Sequence, residues 1–125
     1  MNDRPSIPPG ITAELLLDVF DLPISFHRCL VPITGGVTAA LMLSQAIWTS
    51  EALDPEVGGW FCRSQEEWTE ETGLSRWEQE TARRALRTGG FLEERRAGMP
   101  AKLWFRVRPE AVGRALQAHA NPVRR

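Results

Sequence analysis

The chain has 125 residues, 42% hydrophobic and 25% charged, with a net charge of −1, which suits one folded domain with its own core. No stretch approaches the roughly 20 apolar residues a membrane helix needs, and the start of the chain has no basic run followed by an apolar block, so no membrane partner is expected and a cytoplasmic setting is. Cys29 and Cys62 lie far apart with no Cys-x-x-Cys spacing, which reads as two buried, inert thiols and excludes neither more nor less than a disulfide or metal framework.

In chain order, residues 1–10 hold Pro5, Pro8 and Pro9 and residues 119–125 lack an apolar pattern, so both ends are expected to be flexible, with 11–118 forming a single domain. Residues 11–20 carry Leu15, Leu16, Val19 and Phe20, with Glu14 early and Asp18 outward, as a short amphipathic helix would. Residues 26–33 are β-prone and end at Thr34-Gly35-Gly36, predicting a short strand and turn. Residues 37–52 are the most apolar of the chain and predict a central buried helix. Trp48, Trp60 and Trp68 are assigned to the core. Asp54-Pro55 and Gly58-Gly59 mark a loop at 53–59, and Trp60-Phe61-Cys62-Arg63 a short strand.

Two helix-start signatures follow, Ser64-Gln65-Glu66-Glu67 and Ser75-Arg76-Trp77-Glu78. Each has the Ser-x-x-Glu form of a capping box, in which the serine hydroxyl accepts from the amide three residues on and the glutamate reaches back to the serine amide. Gly73 between them supplies a left-handed residue that ends the first helix and forces the second to cross it. On the first helix Trp68 and Thr72 share the inward face. Glu66, Glu67, Glu70 and Glu71 read as a solvated face rather than catalytic acids, since two of them sit in the first turn where the helix dipole favours negative charge.

On the second helix, 76–88, Ala82, Ala85 and Leu86 point inward by their spacing. The other face is expected to present Arg76, Gln79, Glu80, Arg83, Arg84 and Arg87. Gln and Arg bond base edges bidentately in a major groove, and Arg also binds phosphate. Glu80 is more readily an ion-pair partner of Arg83 or Arg84 than a reader of cytosine. Trp77 is open between a DNA contact, a dimer contact and the core.

Gly89-Gly90 stops this helix, and residues 91–108 predict a β-hairpin turning at Ala97-Gly98-Met99-Pro100. On its return strand Leu103, Phe105 and Val107 share one face and Lys102, Trp104, Arg106 and Arg108 the other. Arg95, Arg96, Lys102 and Arg106 give the hairpin the charge of a wing that lies against a DNA backbone or minor groove. Trp104 is more readily a packing residue than a stacking one. Pro109 and Glu110 open a last helix, compatible with a monomer or a twofold homodimer.

The small net charge hides an asymmetry. Residues 1–75 hold 3 basic and 11 acidic residues, and residues 76–125 hold 12 basic and 5 acidic. The positive charge gathers where the second helix and the wing would meet phosphates. The expected fold is α+β and mostly helical: a winged helix-turn-helix (64–88) with a C-terminal hairpin wing (91–108) and flanking N- and C-terminal helices.

The run Gly59-Trp60-Phe61, Ser64-Gln65-Glu66-Glu67-Trp68, Thr72-Gly73-Leu74-Ser75-Arg76, Glu80-Thr81-Ala82-Arg83, Leu86 and Gly90-Phe91-Leu92-Glu93 resembles winged-helix domains of phage and plasmid replication proteins, and more loosely winged-helix transcription regulators. The resemblance covers about residues 26–108. It implies double-stranded DNA binding at an origin or operator, with 76–87 in the recognition-helix position. The acidic first half keeps a different class open, a protein-interaction module that docks or inhibits a partner without DNA. The two readings differ in whether the arginines form one exposed surface or are tied up by Glu80, Glu93 and Glu94. His27 and His119 stand apart from any metal or triad spacing, and the Gly-Gly pairs lack the Lys-Ser/Thr of a phosphate loop. No enzyme, metal or cofactor is expected.

Overall fold

The computed structural model describes residues 10–20 and 23–120; the expected flexibility of residues 1–9 and 121–125 lies outside them. The described elements are six helices, α1 (Ala13–Val19), α2 (Val31–Thr34), α3 (Val37–Glu51), α4 (Gln65–Thr72), α5 (Arg76–Thr88) and α6 (Pro109–Ala120), and three strands, β1 (Trp60–Cys62), β2 (Leu92–Ala97) and β3 (Lys102–Val107). The strands form one antiparallel sheet in the order β1-β3-β2. A helix-turn-helix followed by a hairpin that shares its sheet with a strand before it is the winged-helix arrangement, and the class is α+β.

α3 is the centre. Ala40, Met42, Leu43 and Ala46 on it are fully buried, and it packs on α5, β3, α4 and β1. Beneath it Trp68 meets Phe105 edge-on at 5.3 Å between ring centroids and Phe61 at 6.2 Å, a geometry that aligns ring edges with ring faces. The sheet's alternation sets what faces this core. Phe61, Phe105 and Glu94 are paired across the three strands, as are Leu92 and Val107 across two, so their neighbours Trp60, Arg106 and Glu93 lie on the outer face.

Four expectations are corrected here. Residues 26–33 form no strand: Arg28–Leu30 is a 3₁₀ turn running into α2. Pro32 lies in the first turn of α2, where its missing amide costs nothing, and the His27 amide donates to Ser44 Oγ on α3 at 3.0 Å instead of to a strand. Of the tryptophans assigned to the core only Trp68 is there: Trp60 is half-buried on the outer sheet face, and Trp48 is 59% exposed, because α3 is apolar around most of its circumference and its smaller residues already fill the interior. Neither thiol is buried: Cys29 is exposed, and Cys62, on the outer sheet face opposite Trp104, is half-buried. The C-terminal helix also continues through the first residues expected to fray, ending at Ala120. No single described helix is long and apolar enough to cross a membrane.

Candidate nucleic-acid interface

Both capping boxes form as the sequence implies. The Glu67 amide donates to Ser64 Oγ at 3.1 Å and the Ser64 amide to Glu67 Oε1 at 2.9 Å; the Glu78 amide donates to Ser75 Oγ at 3.2 Å and the Ser75 amide to Glu78 Oε1 at 2.9 Å. These contacts, with the Ser64 amide first among them, hold the Glu67 carboxyl below its ordinary value. Between the helices Gly73 takes φ +77°, and its amide closes α4 by donating to the Thr69 carbonyl at 2.8 Å.

Gln79 does not face outward. It is 2% exposed, and its Nε2 lies 3.1 Å from the Gln65 carbonyl, 2.9 Å from Thr69 Oγ1 and 3.0 Å from the Leu74 carbonyl. One side-chain amide therefore ties α4, the turn and α5 together. Its spacing from Ala82 and Leu86, three and seven residues on, is the signal that puts it inside. Glu71, read as part of a solvated face, is instead bonded to Arg63 Nε at 2.7 Å and to Gln45 Nε2 at 2.9 Å.

The second correction concerns the arginines on the hairpin side of α5. Glu94 shares the inner sheet face with Leu92, and its side chain is 7% exposed. Arg83 Nε donates to both of its oxygens at 3.2 Å, and Arg87 Nη1 reaches it at 3.1 Å. Arg83 also stands over the Phe105 ring at 5.9 Å. A carboxylate taken out of water is held by charge-assisted bonds, so Arg83 is committed to Glu94 rather than free at the surface. Glu80 pairs with Arg76 at 3.6 Å, one turn back, rather than with Arg83 or Arg84.

On the wing the expected contacts divide between the surface over Trp60 and a cleft at the hairpin's far end. Arg95 and Arg106 lie over the Trp60 ring at 4.4 and 4.8 Å on the outer face. There Arg106 Nε and Arg108 Nη1 donate to Glu93 Oε1 at 2.8 and 3.0 Å. Burial raises the Glu93 pKa, but these bonds and charges lower it further, leaving it below the ordinary value. Arg96 and Lys102 instead line a cleft of about 420 Å³ with Arg63, Ser64, Gln65, Gln79 and Arg83, between the start of α4 and the hairpin.

What α5 turns to solvent is a row four, three and four residues apart: Trp77, Thr81, Arg84 and Thr88, all exposed and opposite the buried Gln79, Ala82 and Leu86. Trp77 is 74% exposed, which removes the core from its open alternatives. Among the described residues Arg84, Arg96 and Lys102 have no carboxylate within 4.0 Å. The arrangement is an exposed helix face and, on another side of α5, a cleft lined by Arg96 and Lys102.

No family model matches the chain, and no curated protein matches it in sequence. A solved structure, the N-terminal domain of a DNA binding protein, is similar at 16% identity with a TM-score of 0.45, over 92% of this chain and 97% of that chain.

Proposed function

We propose that the protein is a non-catalytic, double-stranded DNA-binding module in which the outward face of α5 enters the major groove and Arg96 and Lys102 at the wing hold the backbone. The observation that carries this reading is the exposed α5 row, in which Arg84 has no carboxylate within 4.0 Å among the described residues, together with a cleft on another side of the helix where Arg96 and Lys102 have none either. Such cations displace counterions from DNA and position the protein, while groups on the helix face test base edges. The resemblance to phage and plasmid replication proteins makes an origin the first site to try and an operator the second.

Fluorescence anisotropy of labelled duplexes, titrated at several salt concentrations, tests the proposal. With about three phosphate contacts, from Arg84, Arg96 and Lys102, the log-log salt slope is about −3. No binding at low salt removes DNA from the account.

Exposed apolar side chains support a second reading, a protein contact. Leu15, Leu16, Phe20, Phe26, Val37 and Trp48 are all exposed in the acidic half of the chain. Where such groups lie together they mark an interaction surface. A second copy of this chain or another protein would cover them, and sedimentation equilibrium of the wild type against Trp48→Glu distinguishes a self-associating surface from one that needs a partner.

A further inference from the structure

We propose that Trp77 is the specificity-determining residue of the α5 surface, selecting thymine through its C5 methyl and O4 in the major groove. This rests on the DNA-binding reading above. The hydrogen-bonding side chains on which base reading would ordinarily depend are largely committed elsewhere. Gln79 is held inside the helix-turn-helix, Arg83 and Arg87 bind Glu94, and Arg76 and Glu80 face each other. The outward row keeps one guanidinium, Arg84, and one large side chain, Trp77.

Trp77 is in the first turn of α5, 74% exposed, with nothing of the described chain covering most of its indole. Thr81, one turn on, places a methyl-bearing side chain on the same stripe. An indole is an apolar plate with a single donor. Of the four bases only thymine presents a methyl beside an acceptor oxygen in the major groove, whereas cytosine presents a donor there and the purines present no methyl. The plate matches the methyl and the N–H matches O4. Arg84, two turns from Trp77, is then placed to bond a guanine or a phosphate further along the groove.

The experiment begins with duplexes selected from a random pool by the wild-type protein. Affinities of wild type and Trp77→Ala are then measured for the selected duplex, for versions with single thymines replaced by deoxyuridine, and for an unrelated duplex. Deoxyuridine removes only the methyl. The proposal expects one or two of these replacements to weaken the wild type about tenfold. Trp77→Ala should lose at least that factor on the thymine duplex, since it gives up the O4 contact as well as the methyl, and be indifferent to deoxyuridine there, with unchanged affinity for the unrelated duplex and an unchanged salt slope.

Undiminished thymine discrimination by Trp77→Ala overturns the proposal, as does an equal loss on every duplex, which would make Trp77 a general contact. A lowered sedimentation mass with unaltered DNA discrimination also overturns it and assigns Trp77 to a protein contact. Failure of the wild type to bind any duplex at low salt is a separate result that removes the DNA-binding reading itself. An unchanged thermal melt confirms that the variant is folded, as an exposed position allows.

Discussion

α5 has two polar sides that look alike in sequence and behave differently in the fold. Toward the hairpin, Arg83 and Arg87 converge on the nearly buried Glu94. Toward solvent, Arg84 stands between Thr81 and Thr88 with no carboxylate within 4.0 Å among the described residues. The available charge of a basic helix is therefore set by the neighbouring strand as much as by its own arginines. The same division runs through the wing, where Glu93 gathers Arg106 and Arg108 while Arg96 and Lys102 remain unpaired at the cleft.

The largest effect is expected from breaking the hairpin side. Glu94→Ala leaves Arg83 half-buried without its anion, and loss of one partner of an enclosed pair destabilises by up to about 3 kcal/mol when the other partners are partly solvated. Urea denaturation should show this loss. DNA affinity should meanwhile become more salt-sensitive, because Arg83 and Arg87 are released. Unchanged stability would mean that Glu94 is not the clamp between α5 and β2.

Gln79→Ala should come next. It leaves the Leu74 and Gln65 carbonyls short of a donor, a loss of about 1–3 kcal/mol, read as a lower urea midpoint. Sequence discrimination should survive at temperatures where the variant is folded, and its disappearance there would return Gln79 to the reading face.

The third prediction compares single cations. Arg84→Ala should reduce the steepness of the salt dependence by about 0.9, and Arg95→Ala, which alters the outer sheet face over Trp60, should leave it unchanged. Equal losses would show that both sheet faces approach the DNA.

The smallest effect concerns acid. Glu93 has a folded-state pKa below its ordinary value of 4.5, so its contribution is present above the unfolded value and is lost as pH falls through the lowered folded one. Glu93→Gln should reduce the loss of stability on acidification below about pH 4.5, measured by urea midpoints at pH 6 and pH 3. An identical acid response in wild type and variant would contradict a coupled Arg106-Glu93-Arg108 group.

The helix-turn-helix was legible in the sequence because its signals are local. Ser64, Glu67, Ser75 and Glu78 close their boxes within four residues, and Gly73 needs only its own positive φ. The hairpin's faces followed from alternation, since Leu103, Phe105 and Val107 must share a side. The failures all depended on distant partners. Residues 26–33 have strand composition, yet Ser44 on α3 takes the His27 amide. Trp48 is apolar, yet more than half of it stays exposed. Within the candidate site, the charge of α5 was visible, but the position of Trp77 was open between surface and core, and the commitment of Arg83 and Arg87 depends on Glu94, which alternation from Leu92 places inward.

Gln79 separates the positions that set the angle between α4 and α5 from those that meet the outside. Trp77, Thr81, Arg84 and Thr88 hold none of the side-chain bonds that fix that angle. These four positions form a natural library: randomising them together should retarget recognition while the scaffold keeps its melting temperature, so new specificities can be selected without compensating substitutions in the core.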